Sequence, residues 1–205
     1  IKYFWSFKKS DIIFICVGTP TKKNKTSVDL SYVLSAINEI KKFSKKKKII
    51  VTKSTVPVGT GDIIEKMLKN KKKFTVLSNP EFLREGEAVR DFRYPDRIIV
   101  GSNDKKAFDV MKNLYSPLIK KGAIFFKTSR RGAELIKYAS NAFLATKITF
   151  INEMANLCEK IEINIEDIAL GMGSDQRIGS RFLRAGPAYG GSCFPKDTKG
   201  LVSIG

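Results

Sequence analysis

Between Ile12 and Lys127 the chain repeats one pattern, a short apolar run followed by an amphipathic stretch at helical spacing. The runs Ile12 to Val17, Ile49 to Thr52, Phe74 to Leu77, Ile98 to Val100 and Ala123 to Phe126 read as strands with buried faces. Between them Leu30, Val33, Leu34, Ile37 and Ile40 recur at helical spacing, as do Ile63, Ile64, Met67 and Leu68, then Phe108, Met111, Leu114 and Tyr115. Strands that alternate with helices are joined by crossovers. The pattern therefore predicts an α/β fold with a mostly parallel sheet covered by helices, and with ligands at the carboxyl ends of the strands.

After Thr128-Ser129-Arg130-Arg131-Gly132 the period becomes helical throughout. Leu135, Ala139, Phe143, Phe150, Met154, Leu157 and Ile161 form one stripe, which predicts a helix of about thirty residues with that stripe packed in the core. Such a helix is long enough to join two domains. A second helix is expected from Asn164, an N-cap residue type, to about Met172, followed by a basic stretch with Arg177, Arg181 and Arg184. The expected division is a sheet domain over 1–128 and a helical domain over 129–205.

With 42% hydrophobic residues in 205, the chain can bury a core. No run of eighteen apolar residues exists, so no membrane span is expected, and Ile1-Lys2-Tyr3-Phe4-Trp5 lacks the length and cleavage pattern of a signal peptide. A cytoplasmic protein is the expectation. Cys16, Cys158 and Cys193 cannot all pair, and their spacing matches no zinc pattern, which fits a reducing compartment and no metal site. Cys16 and Cys158 read as small buried hydrophobes. The absence of histidine excludes histidine triads, so acid and base work falls to Lys, Glu, Asp or ordered water.

The formal charge of +18 raises nucleic acid as a partner. However, Lys45-Lys46-Lys47-Lys48 and Lys71-Lys72-Lys73 each precede an apolar run, where solvated lysines are expected, and neither run has interleaved aromatics. Nucleic acid is not the expected partner, and part of the lysine excess has no functional account.

The motif richest in chemistry is Gly190-Gly191-Ser192-Cys193-Phe194-Pro195-Lys196-Asp197. Glycine lets backbone approach a ligand, a nearby lysine supplies positive charge beside the sulfur, and a carboxylate four residues on can handle protons or order water. The alternative is a glycine loop with an inert thiol. Lys137 and Asn141, four residues apart on the long helix, share a face and can converge on one oxygen, although a helical lysine is as readily solvated. Glu81 and Glu85 flank Phe82-Leu83-Arg84, where a short helical turn would put both carboxylates on one side. Val17-Gly18-Thr19-Pro20-Thr21 and Ser54-Thr55-Val56-Pro57 each follow a strand and turn sharply, as ligand-facing or ordinary strand-to-helix turns do. Neither Gly59-Thr60-Gly61 nor Gly171-Met172-Gly173 has the third glycine of a dinucleotide turn.

The cysteine octet resembles the catalytic cysteine loop of the UDP-glucose/GDP-mannose dehydrogenase family. The resemblance extends in the family's order to Ser54–Gly59, Ser78–Gly86, Glu134–Leu144 and Asp175–Gly179. It implies an incomplete Rossmann-like NAD-binding domain followed by a helical central domain through which a homodimer forms. It also implies that the first strand, the glycine-rich turn and the ribose-binding acid precede Ile1, and that a UDP-binding domain follows Gly205. The implied activity is NAD-dependent oxidation of a nucleotide sugar, from primary alcohol to carboxylate, through a cysteine thiohemiacetal and thioester. Under this resemblance Cys193 is the nucleophile, Lys137 and Asn141 stabilise oxyanions, and Asp197 and Glu81 organise water and protons. Thr55 reaches toward the reacting centre, and Val17, Gly18, Thr19, Pro20, Thr21, Ser54, Thr55 and Lys196 border the cofactor. Glu81, Phe82, Leu83, Glu85, Lys137, Asn141, Tyr189 and Gly190 border the sugar nucleotide. Arg177 reaches substrate across the dimer interface, and Arg184 either does so too or is a solvated cation. The continuation Phe194 to Leu201 is most similar to the UDP-glucose branch. GDP-mannose and UDP-N-acetylhexosamine branches, or a catalytically silent oligomerisation module, are the alternatives.

Overall fold

The structure, a computed structural model, describes residues 9–22, 27–44, 46–68, 73–191 and 193–203. The N-terminal pentapeptide, Lys45, Lys71, Lys72, Ser192 and Gly205 lie outside them. The chain divides into two compact units, one through Lys137 and the other Tyr138–Ser203.

In the first unit the five apolar runs form the five strands β1 (Ile12–Ile15), β2 (Lys48–Thr52), β3 (Phe74–Ser78), β4 (Arg97–Gly101) and β5 (Ile124–Thr128), in the order β1-β2-β3-β4-β5. β1, β2 and β3 pair in parallel, as do β4 and β5, while β3 meets β4 antiparallel through Ser78 and Gly101. Helices α1 (Ser31–Phe43) and α2 (Thr60–Leu68) cross over between the first three strands. The short α3 (Ala88–Arg93) precedes β4, and α4 (Lys105–Leu114) and α5 (Ser116–Ile119) link β4 to β5.

Strand period 2 divides the core. Ile50 and Val76 pack with Val33, Ile37, Ile40, Ile64 and Leu68 of α1 and α2 on one face; Val51 and Leu77 pack with Ala107 and Met111 of α4 on the other. Burying both faces is what parallel strands of this apolar kind require. Asn79 closes the sheet at its antiparallel junction. Its amide N–H donates to Thr52 O at 2.9 Å, its side-chain amide donates to Ile99 O at 2.7 Å, and its Oδ1 accepts from Tyr115 OH at 2.6 Å. Burial pushes the Tyr115 phenol up to about 12.

The second unit contains most of α6 (Arg130–Lys160), together with α7 (Ile165–Gly173) and α8 (Phe194–Val202). Asn164 caps α7 through Oδ1, which accepts from Glu166 N at 3.0 Å. No helix among the described residues is long and apolar enough to cross a membrane.

Three expectations are corrected. The apolar stripe of α6 is not core: Leu135, Phe143, Phe150, Leu157 and Ile161 are exposed, and the buried face carries Ala133, Glu134, Lys137, Tyr138, Asn141 and Ala145. Cys16 is exposed just past the end of β1, at the sheet edge, whereas Cys158 is buried as expected. Lys48 is not solvated; it opens β2 with its side chain buried and its ammonium donating to the Ser10 carbonyl. Strand pairing at that position outweighs the cost of enclosing the lysine stem.

Candidate functional site

Three parallel strands deliver three turns at their carboxyl ends, and side chains tie these turns together. Ser54 Oγ donates to Val17 O at 2.6 Å, and Thr19 Oγ1 donates to Thr55 O at 2.7 Å, so the turn after β1 is fastened to the turn after β2. Lys53 Nζ donates to Pro80 O at 3.4 Å, linking the turn after β2 to the segment after β3. Thr19 and Thr55 are buried, while Gly18 and Pro20 are exposed with open space around the Gly18 α-carbon. Thr21 is half-buried and pairs with Val28 in an isolated bridge. An exposed glycine between two cross-linked strand-end turns presents backbone that a dinucleotide can approach, so these residues fit the cofactor that the turns suggest.

Lys137 comes from α6 and is only 4% exposed; its ammonium lies 3.1 Å from Glu81 Oε1 and 5.3 Å from the centre of the Phe82 ring. Arg97 also sits over Phe82, at 4.2 Å. Glu81 Oε2 accepts from Leu83 N at 2.5 Å, so the carboxylate closes its own local turn. That turn corrects the expected helix at 81–85. The segment from Asn79 to Arg84 has no regular structure, and Glu85 lies exposed in the turn leading to α3, because Pro80 and the Glu81 cap satisfy the backbone without helix. Leu83 is half-buried beside them.

Two charged residues that the sequence reading gave no role stand beside this pair. Burial pulls the Lys53 ammonium down to about 8, against the opposing influence of Glu81 and Cys16, and the charge of Lys137 lowers it further. Glu134, 3% exposed, accepts three hydrogen bonds, from Gly59 N at 2.7 Å, Gly61 N at 2.8 Å and Ser78 Oγ at 2.9 Å. Burial pushes its carboxyl up, and the three donors pull the other way without cancelling it. The available signal was its place one helical turn before Lys137. A cavity of about 10 Å³ lies among Thr52, Thr55, Ser78, Pro80, Glu134 and Lys137.

In the second unit Asp197 is 1% exposed. Its Oδ2 accepts from Asn141 Nδ2 at 2.6 Å and its Oδ1 from Lys196 Nζ at 2.6 Å. Cys193 is the N-cap residue of α8, half-buried, and its carbonyl accepts from Asp197 N at 2.8 Å. The helix thus fixes cysteine, lysine and aspartate within one turn, with Pro195 at a first-turn position that needs no N–H. Gly191 has φ of +78°, a left-handed conformation that a side chain would strain, which accounts for glycine two residues before the cysteine. Tyr189 and Phe182 pack edge-on against Phe194, with ring centres at 6.4 and 6.3 Å. Gly200 sits against Tyr138, where an added Cβ would come within 2.6 Å of the ring. Gly190 is exposed.

Arg177 is exposed and chelated by Asp175, Nε to Oδ1 at 3.0 Å and Nη2 to Oδ2 at 2.5 Å; Arg184 is exposed. A cleft of about 610 Å³ opens between α6 and the 185–189 segment, bordered by Asn152, Asn156, Ile165, Pro187 and Tyr189, and Asn152 Oδ1 secures the segment by accepting from Gly186 N at 2.9 Å. Within the first unit, then, Thr55, Glu81, Phe82 and Lys137 meet; within the second, Asn141, Cys193, Lys196 and Asp197 meet. Neither group includes Glu85, Arg177 or Arg184. Among the described residues no group of three or more His, Cys, Asp or Glu side chains is placed to hold a metal ion.

Comparison with known proteins agrees with both halves. Residues 2–119 match the NAD binding domain of the UDP-glucose/GDP-mannose dehydrogenase family, and residues 131–205 match the central domain of the same family. The chain is 54% identical over 198 residues to the UDP-glucose 6-dehydrogenase of Rhizobium meliloti (strain 1021), covering 94% of this chain and 45% of that protein. It is 55% identical over 203 residues to the UDP-glucose 6-dehydrogenase of Rickettsia prowazekii (strain Madrid E), covering 98% of this chain and 46% of that protein. The structure of a UDP-glucose dehydrogenase from the archaeon Pyrobaculum islandicum superimposes with a TM-score of 0.92 at 38% identity, covering 98% of this chain and 47% of that one. The chain spans about half the length of the relatives it matches.

Proposed function

Because the chain belongs to the UDP-glucose/GDP-mannose dehydrogenase family, we propose that it acts in the NAD-dependent, four-electron oxidation of UDP-glucose to UDP-glucuronate. The observation that carries this reading is the Asn141–Asp197–Lys196 network buried at the start of the helix that Cys193 caps. A structural thiol has no use for a buried carboxylate, paired with a half-buried ammonium, within one turn of it; a nucleophile that forms and releases an acyl group does. The choice of UDP-glucose is supported by relatives at 54–55% identity that carry that name.

NAD, when bound, accepts a hydride in each of the two oxidations. Val17, Gly18, Thr19, Pro20, Thr21, Ser54 and Thr55 would hold it, with Lys196 alongside. In the first oxidation the sugar's primary alcohol loses a proton and a hydride to become an aldehyde, and Asp197 orders the water that takes the proton. The Cys193 thiol passes its proton to water as its sulfur bonds to the aldehyde carbon, and the carbonyl oxygen becomes an oxyanion that Lys137 and Asn141 stabilise. Loss of the second hydride leaves a thioester on Cys193. Glu81 positions a water and takes one of its protons as the water oxygen bonds to the acyl carbon; the C–S bond breaks, one water proton returns to the sulfur, and the other leaves with formation of the carboxylate. Phe82, Leu83, Glu85, Tyr189, Gly190, Arg177 and Arg184 are proposed contacts to the sugar nucleotide. The exposed apolar stripe of α6 supports a homodimer formed through that helix.

The test is a stoichiometry on the full-length protein: two NADH per UDP-glucose consumed, and no uronate from Cys193→Ala. One NADH per sugar, or uronate from the alanine variant, removes the cysteine route. Preferential oxidation of GDP-mannose reassigns the substrate branch.

A further inference from the structure

We infer that Glu134 is a positioning residue whose buried carboxylate ties the turn after β2 and the end of β3 to the first turns of α6, and so fixes Lys137 against Glu81. The inference rests on the roles proposed above for Lys137 and Glu81. It is argued from what Glu134 touches.

An apolar residue would dock a helix onto a sheet without the cost of enclosing a charge. A carboxylate is needed where several donors must be gathered at one point, since two oxygens offer about four acceptor sites. Three are filled here, by Gly59 N, Gly61 N and Ser78 Oγ. Gly59 and Gly61 flank the start of α2, where the first N–H groups have no partner within the helix and where negative charge is favoured. They end the same turn that begins at Ser54 and Thr55. Ser78 is the residue before Asn79-Pro80-Glu81. Glu134 therefore holds two of the three strand-end segments that carry first-unit site residues, from a position three residues before Lys137 on a continuous helix. A Cβ on Gly61 would stand 3.0 Å from Glu134 Oε1 and 3.0 Å from Arg130 Cδ, so the approach depends on glycine at that position.

Arg130, one turn earlier, supplies the control. It is buried and binds Asp62 Oδ1 at 2.8 Å and Glu65 Oε2 at 2.6 Å, joining α6 to α2 without touching the Gly59 turn or β3 in any of these bonds. Removing it loosens the same helix pair but leaves the three bonds of Glu134 in place.

The experiment compares Glu134→Gln, Ser78→Ala and Arg130→Gln in the full-length protein, with rates expressed per folded molecule. Glutamine keeps the volume but turns an NH2 toward donors, so at least one bond becomes a donor–donor contact. In Glu134→Gln, kcat with UDP-glucose is expected to fall about tenfold to a hundredfold, as for a misplacement of about 1 Å, with KM within about threefold. Ser78→Ala removes one bond only and should lower kcat by about threefold to tenfold. Arg130→Gln should lower the melting temperature while leaving kcat within about twofold. In a crystal structure of Glu134→Gln the Lys137–Glu81 separation should widen beyond its 3.1 Å. That readout needs no activity. A widened pair in a protein inactive on UDP-glucose would sink the proposed substrate and leave the positioning role standing. Unchanged kcat in both Glu134→Gln and Ser78→Ala, an unmoved Lys137–Glu81 pair, or equal loss of kcat in Arg130→Gln would overturn it.

Discussion

Replacing Asp197 with asparagine should cost activity far more than stability. The carboxylate is 1% exposed and each oxygen has one strong donor, Asn141 Nδ2 on Oδ2 and Lys196 Nζ on Oδ1, both at 2.6 Å. An asparagine in its place keeps its single oxygen on the lysine and turns its NH2 toward Asn141. That side-chain amide can rotate to present its own oxygen, so no buried polar atom need be orphaned. What is lost is the difference between a charge-assisted and a neutral hydrogen bond, about 1–2 kcal/mol, partly offset because Lys196 is 19% exposed and keeps some water. For a chain of this size that corresponds to a fall of about 2–8 °C in melting temperature, and to about half of that in a protein twice as long. Asp197→Ala leaves both donors without an acceptor and should cost about 3–5 kcal/mol. Loss of the carboxylate proposed to order water and protons should lower kcat by about a hundredfold to ten-thousandfold in either variant. NADH appearance and thermal melts of the full-length variants decide the matter. An Asp197→Asn protein within tenfold of wild-type kcat, or one as unstable as the alanine variant, would show that Asp197 is only a structural clasp.

Lys53 makes a pH-dependent contribution whose sign is the reverse of a salt-bridged lysine. Its folded value is pulled from 10.5 to about 8, so between those values the unfolded chain binds more protons and stability rises with pH. Chemical denaturation at pH 7.5 and pH 10 should show that rise in wild type and its loss in Lys53→Met; identical slopes would mean that the ammonium is not desolvated. For the proposed dimer, Phe143 is 65% exposed at the middle of the α6 stripe, and Phe143→Glu should shift the protein toward monomer in sedimentation velocity without lowering its melting temperature in the monomeric fraction. An unchanged sedimentation coefficient would place the interface elsewhere.

The sheet was legible because its signal is redundant. Each strand was marked by a short apolar run, each crossover by helical spacing, and burial of both sheet faces left few other arrangements. The antiparallel step between β3 and β4 was not legible, because a single pair, Ser78 with Gly101, makes it, and that pairing depends on Asn79 joining Thr52, Ile99 and Tyr115 from three distant parts of the chain. The placement of the candidate residues was legible where a helix fixes their spacing: Lys137 and Asn141 are both buried on α6, though with different partners, and Cys193 and Asp197 share the start of α8. It was not legible at Glu134, whose partners lie more than fifty residues away and announce nothing in its own neighbourhood.

The inversion of α6 carries the most general lesson of this chain. Amphipathic reasoning turns the apolar side of a helix inward, yet here Glu134, Lys137 and Asn141 are buried among Ala133, Tyr138 and Ala145 while Leu135, Phe143, Phe150 and Leu157 face outward. A buried polar or charged group is tolerated only where partners satisfy it, and each of these has them: three hydrogen-bond donors on Glu134, the Glu81 carboxylate on Lys137, the Asp197 carboxylate on Asn141. An exposed apolar stripe is tolerated where another surface covers it. A helix with both features presents two different faces along its length. One is polar and buried against partners, and the opposite one is apolar and exposed, as the proposed chemistry and the proposed dimer require. The hydrophobic period alone cannot tell such a helix from an ordinary core helix turned the right way round. The distinguishing sign lies in the polar residues, spaced 3 and 4 from Glu134 through Lys137 to Asn141, a repeat that solvent-facing residues have no need to keep.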